Sequence, residues 1–358
     1  MVMADGVDSM LPDNGTTPQS EVESVSFEFE KTPTRRMADF LHNYPTIISI
    51  LVLVLSVGAF GFGVGSRFFT PFNFSLIVQQ VTVIAVLGVA QTLVILTSGI
   101  DLSVGAIMVL SSVVMGVLAV DHGVPEGFAI VIAVAVGAIC GLANGVLVTA
   151  VRLPPFIATL GTWYVFFGLN LWYSGAQTIM AQDITTNAPV LQFFGNAVDI
   201  GSVRLSFGTF AMLGLFVVIW YVLNWTPWGR HVHAIGDDEE AARLAGIGVM
   251  RTLLSVYVVA GLICGFAGWV LIGRIGSVTP QEGVTSNLDS ITAVVIGGTS
   301  LFGGRGSLVG TLIGALIVGV YRNGLALSGA DPLWQNVAVG LLIIVAVTMD
   351  QWIRKLTS

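Results

Sequence analysis

Along most of this chain, charged residues vanish for long stretches and return only as brief punctuation. Runs free of Asp, Glu, Lys and Arg cover 40–66, 68–100, 102–120, 127–151, 153–182, 205–229, 252–273, 290–304, 306–321 and 332–349. A helix crosses the hydrocarbon core of a bilayer in about 20 residues. Trimmed for loops at the run ends, the pattern predicts ten membrane segments, near 46–65, 74–96, 103–120, 128–150, 156–174, 207–224, 252–273, 288–303, 307–327 and 333–352. The eighth is short and flanked by glycines, which suggests a half-helix or re-entrant piece. The expected fold class is an all-α polytopic membrane protein.

Basic residues set the orientation. With the N-terminus inside, the inner segments collect Lys31, Arg35, Arg36, Arg152, Arg230, Arg243, Arg251, Arg305, Arg354 and Lys355, and the outer ones keep Arg67, Arg204, Arg274 and Arg322. Both termini are therefore expected in the cytoplasm. Trp220, Trp225 and Trp228 suit the inner interface, and Trp172 and Tyr173 the outer one.

Composition strengthens the membrane reading. Hydrophobic residues make up 54% of the 358 and charged ones 10%, against about 25% charged in soluble domains. The net charge of −7 is uneven, since residues 1–45 carry eight acids against three bases. That stretch reads as an acidic, disordered cytoplasmic tail. Arg35-Arg36 does not make a twin-arginine signal, because the tail is acidic and no small-residue cleavage site follows. Cys140 and Cys264 lie in apolar stretches and read as small buried hydrophobes. The four histidines make no zinc spacing, so no metal site is expected, nor is a nucleic-acid partner.

Three stretches could carry chemistry. In the long inner loop 225–251, Asp237, Asp238, Glu239 and Glu240 open a short helix, where acids complement the positive dipole end. Ala241, Ala242, Arg243, Leu244 and Ala245 continue it, and Gly246 stops it. Gly229 and Gly236 set this helix off from the membrane. It reads either as an ordinary capped loop helix or as a docking helix for a cytoplasmic partner.

Thr97–Gly105 joins the second and third segments around Asp101. An acid between apolar runs is functional by default, yet capping the next helix is an adequate structural role. Substrate or ion contact and interdomain contact remain open beside it.

In the third stretch, 296–307, glycines with Thr299 and Ser300 invite a phosphate-loop reading. The lysine of such a loop is missing. Tight turns or close helix contacts are expected instead. Gly99–Gly105 and Gly304–Gly310 each place an inner turn before an apolar helix, a hint of internal repetition. Gly137, Gly141 and Gly145, with Gly261 and Gly265 and with Gly310 and Gly314, form small-residue steps that permit close helix packing. Gln91, Thr97, Asp101, Asn144, Thr159, Thr162 and Asn170 are candidates for the path of an uncharged, hydroxyl-rich solute, against the plainer reading of interhelical hydrogen bonds.

Four stretches in order carry a resemblance: Thr97–Gly105 (TSGIDLSVG), Pro155–Thr162 (PFIATLGT), Gly229–Ile247 (GRHVHAIGDDEEAARLAGI) and Ala293–Gly310 (AVVIGGTSLFGGRGSLVG). Over roughly 40–355 the chain resembles the permease subunits of bacterial ABC sugar importers of the ribose, xylose, galactose and fructose type. The resemblance implies a permease domain over 46–353, containing a coupling loop at 225–251, in the bacterial inner membrane. It implies a partner ATPase that binds ATP and Mg and carries out hydrolysis, so this chain is not itself an enzyme and needs no cofactor of its own. It also implies a periplasmic sugar-binding protein and a second permease copy. A proton-coupled transporter using Asp101 and a branched-chain amino acid permease are the alternatives.

Overall fold

The computed structural model describes residues 45–283, 286–331 and 333–341, with positions 344 and 348. The expected acidic tail lies outside the described residues apart from Pro45, and so does much of the tenth expected segment beyond 341.

Hydroxyl and carboxylate caps decide where many of the helices start. The first, α1, spans Pro45–Val64. In α2, Pro71–Leu96, the Thr70 side chain accepts from Asn73 N with Pro71 in the first turn, a position where proline's missing donor costs nothing. Next, α3 spans Val104–Gly116 and widens into a π turn over Val117–Asp121. It is followed by α4, Glu126–Thr149, and α5, Pro155–Ser174. Gly175, at φ 57°, ends α5 in the left-handed conformation that glycine adopts without strain. Short helix α6, Ala181–Asn187, and a 3₁₀ turn, Pro189–Gly195, lead to a hairpin of β1, Ala197–Ile200, and β2, Val203–Ser206.

Ser206 then caps α7, Phe207–Trp225, and Thr226 caps α8, Pro227–Asp237. Asp238 caps α9, Glu239–Leu244. The long α10, Val249–Ile275, is followed by α11, Ser286–Ile296, and by α12, Leu308–Leu327, capped by Ser307. Residues 333–341 are again helical.

Among the described residues, seven helices are long and apolar enough to cross a bilayer: α1, α2, α3 with its π turn, α4, α7, α10 and α12. The chain is therefore a helical, multi-pass membrane protein, with seven of the ten expected segments meeting that measure. Helix α5 has the length, but Thr159, Thr162 and Asn170 with its tryptophans and tyrosines dilute its apolarity. Helix α11 has eleven residues, about 16 Å, half a bilayer. The all-α expectation also missed the hairpin. Its pairs Val198↔Leu205 and Ile200↔Val203 alternate with Asp199↔Arg204 around Gly201, the period-two pattern of a strand.

Helices α2, α3 and α10 form the centre, while α1 is exposed round most of its circumference. The most extensive helix contact is between α4 and α10. A Cβ at Gly137 would meet Gly265 and the Gly261 carbonyl, and one at Gly141 would land on the Tyr257 carbonyl. Gly310 and Gly314 meet Gly297 and Ala293 in the same way. The small-residue steps thus bring helix backbones into direct contact, as their spacing suggests.

The loops gather at two ends. At one, Gly304 N donates to Leu96 O at 3.0 Å and Trp228 Nε1 donates to Ser255 Oγ at 2.7 Å. At the other, Ile179 pairs with Val278, Gln192 Nε2 donates to Gly276 O at 2.8 Å, and Val190 N donates to Glu126 Oε2 at 2.6 Å.

Candidate functional site

The segment between α2 and α3 does not form a simple surface turn. Ser98 Oγ donates to Phe302 O at 2.8 Å, beyond the C-terminal end of α11. Leu102 O accepts from Asn287 Nδ2 at 2.8 Å, in the first turn of α11. Four residues of chain span at most about 14 Å, so 98–102 runs stretched beside the half-length helix. Non-helical backbone at this depth is tolerated only where protein surrounds it or water reaches it.

Six of the seven path candidates lie on or around this linker. Asp101 is 2% exposed, and its Oδ1 accepts from Ser103 N at 2.7 Å and Ser103 Oγ at 2.6 Å. It therefore closes a turn two residues ahead of itself, and the α3 cap position falls to Ser103. Asn144 Nδ2, from α4, donates to Ser103 Oγ at 2.7 Å and to Asp101 Oδ2 at 3.4 Å. Thr162 Oγ1, from α5, donates to Asn144 Oδ1 at 2.6 Å.

Thr159 Oγ1 accepts from Leu102 N at 3.1 Å and lies 3.1 Å from Ile100 O. With its amide oriented to match donors with acceptors, Gln91 donates to Asp101 O at 2.9 Å and accepts from Asp101 N at 3.3 Å. Thr97 turns back on its own helix, donating to Val94 O at 2.8 Å. The polar groups are spent on one another, which is how buried polar atoms are normally satisfied. Asn170 stands apart. It is fully buried, its Nδ2 donates to Pro280 O at 2.6 Å, and its Oδ1 has no partner.

The loop 225–251 folds into two helices where one was expected. Asp238, at φ −155°, breaks the run, and its side chain accepts from Ala241 N at 3.0 Å. Asp237 thus ends α8, while Glu239 and Glu240 open α9. Arg243 reaches back to Glu239 at 2.7 Å across one turn. Gly246, at φ 83°, ends the pair. Ala242 is buried with Ile235 and Val249 in a small separate cluster. Asp237, Asp238, Glu239, Glu240, Ala241, Arg243, Leu244 and Gly246 are exposed, and Leu244 is 82% exposed. The docking candidates therefore form one projecting surface at the end of the molecule.

Gly236 also makes a close backbone contact. A Cβ there would land on the Leu96 carbonyl and crowd Gly304 N.

Sequence reasoning missed one pair entirely. Arg322 in α12 donates through Nη2 to both oxygens of Asp289 in α11, at 2.6 and 2.8 Å. Asp289 lies just before the charge-free run 290–304, within the expected eighth segment. The usable signal was its isolation, because it is the sole acid between Glu282 and Asp331, and an acid inside a membrane segment needs a partner.

Membrane-length helices packed round a buried, hydrogen-bonded linker, with an exposed short helix at one end, define a multi-pass membrane protein. The family model described as "Branched-chain amino acid transport system / permease component" matches residues 73–347, and the chain belongs to that family of transport permeases. It is 54% identical to a fructose import permease protein of Rhizobium meliloti over 340 residues, covering 95% of this chain and 94% of the relative. It is 41% identical to a ribose import permease protein of Bacillus subtilis, covering 94% and 98%. Against a galactose/methyl galactoside import permease protein of Escherichia coli the identity is 36%, covering 85% and 93%. No solved structure matches.

Proposed function

We propose that the chain is the membrane-spanning subunit of an ATP-binding-cassette importer and forms the translocation path for a monosaccharide. The observation that carries this reading is the likeness, over nearly the whole chain, to relatives named as fructose, ribose and galactose import permeases. Those names favour a sugar over a branched-chain amino acid, despite the family's description. In this reading the chain sits in the bacterial inner membrane with both termini in the cytoplasm and works as a pair of copies. A periplasmic binding protein delivers the sugar.

Hydrolysis belongs to a cytoplasmic ATPase holding ATP and Mg, which docks on Asp237, Asp238, Glu239, Glu240, Ala241, Ala242, Arg243, Leu244 and Gly246. The exposed surface of α9 and the end of α8 supports this role, with Leu244 as its apolar knob and acids around it. Gln91, Thr97, Asp101, Asn144, Thr159 and Thr162 frame the path by holding the linker. Asn170 Oδ1, buried without a partner, is the acceptor with capacity left for a sugar hydroxyl. The enclosure of Asp101 by Ser103 and Asn144 counts against a proton-carrying role.

The test is reconstitution with the ATPase and binding protein, followed by uptake of labelled pentoses and hexoses. Arg243→Glu and Gly246→Glu are expected to insert normally and to lose uptake. Normal transport by both variants refutes the docking role. Uptake that stops when the proton gradient is removed, with ATP still present, selects the secondary-transporter alternative.

A further inference from the structure

The linker, the glycine-rich turn 297–307 and the docking helices meet at one place, and side chains are almost absent from the contact. Gly304 N donates to Leu96 O at 3.0 Å. A Cβ added at Gly304 would lie 2.9 Å from Asp237 Cα and 3.0 Å from Asp237 N. Gly236 is closed off by the Leu96 carbonyl in the same manner, and a Cβ at Gly303 would meet Ser98 Oγ. Gly303 and Gly304, at φ 84° and 71°, both occupy the left-handed region that favours glycine. Backbone pressed on backbone has no rotamers to absorb a displacement, so movement of α8 is felt directly by both turns.

Ser98 is the exception in this glycine knot. It holds φ 61°, a conformation strained for side-chain-bearing residues other than Asn and Asp. It is exposed, so core packing does not require it. Its hydroxyl lies 2.8 Å from Phe302 O and 3.2 Å from Gly236 O, and so shares its single proton between the turn 297–307 and the last turn of α8. Four residues further on, Leu102 O is held by Asn287 of α11, while Asp101 between them is enclosed by Ser103, Asn144 and Gln91. One end of the linker is thus tied to the docking helices and the other to the half-length helix.

We propose that Ser98 is a positioning residue that couples the docking helices to the intramembrane linker, with Gly236, Gly303 and Gly304 as the bearing surface. This rests on the importer reading above and adds to it the point where force enters the membrane.

Ser98→Gly is the discriminating variant, because glycine relieves the strained backbone while removing the hydroxyl. Measured in the full complex in proteoliposomes, it is expected to fold and melt at or above the wild-type temperature and to co-purify with the ATPase. ATP consumed per sugar imported should rise about fivefold, the effect of one lost hydrogen bond. Ser98→Asn tolerates the left-handed backbone and offers two N–H donors to the two carbonyls, so it should restore the wild-type ratio. A merely structural serine leaves that ratio unchanged in Ser98→Gly, and an unchanged ratio overturns the proposal. A raised ratio in both variants also overturns it, since the bridging donor is then not what matters. Failure of the importer reading itself appears separately, as a wild-type chain that neither binds the ATPase nor supports ATP-driven uptake.

Discussion

Arg322 grips both oxygens of Asp289, at 2.6 and 2.8 Å, and so ties α12 to the first turn of α11. Breaking a buried ion pair from one side strands a charge and costs about 3–5 kcal/mol. The Arg322 side chain is 28% exposed, which puts the expected loss for Asp289→Ala at the lower end of that range. Melting of the purified chain in detergent measures it. The double variant Asp289→Leu with Arg322→Met should recover most of the loss, because no charge is then left alone.

Asn144 joins three elements at once. Asn144→Ala removes the donor to Ser103 Oγ and Asp101 Oδ2 and the acceptor for Thr162. Buried groups left without partners cost about 1–3 kcal/mol each. The expected result is a lower melting temperature, with Asn144→Ala more damaging than Thr162→Val, which removes one hydroxyl from the same network.

One kind of substitution should cost stability at one glycine and not at another. Gly141→Ala drives a Cβ into the Tyr257 carbonyl and forces α4 from α10, at a cost of about 1–3 kcal/mol. At Gly214 on α7 nothing lies within 4 Å of an added Cβ. There alanine is neutral or gains up to about 1 kcal/mol of helix stability. Parallel melting curves in detergent decide both.

The proposed orientation can be read by labelling, since the native thiols Cys140 and Cys264 are both buried. A cysteine replacing Asp199 on the hairpin should react with a membrane-impermeant maleimide in intact cells. One replacing Glu240 on α9 should react only after the membrane is opened. The reverse pattern would turn the molecule upside down.

The segments trimmed from charge-free runs located the ends of α1, α2, α3 with its π turn, α4, α5, α7, α10 and α12 to within three residues, because a bilayer excludes unpaired charge and so writes helix ends into the sequence. The eighth segment ran seven residues too long at its C-terminal end. Glycines and hydroxyls at 297–303 carry no charge, and nothing in that count separates a helix from a turn. Asp289 stayed unnoticed for a related reason, since its partner lies 33 residues away and only packing brings them together.

The short helix α9 was legible because an acid-to-alanine run stands alone in an apolar chain. The contact of Gly236 with Leu96 was not, because glycine leaves no trace of what approaches it. The path candidates were found as a group. Their mutual saturation needed coordinates, as a sequence shows hydrogen-bonding groups without their partners.

The glycine contact of α10 with α4 has a mechanical consequence. Helix α10 starts five residues after α9 ends and runs 27 residues, about 40 Å. Gly261 and Gly265, pressed on Gly137 and Gly141, lie near its middle, and Gly273 touches Gly195 close to its far end. The rod is therefore clamped backbone to backbone both at its middle and near its far end. Seated this way, it has no side-chain slack at either height, so it joins the loops at the two ends of the molecule as one stiff strut.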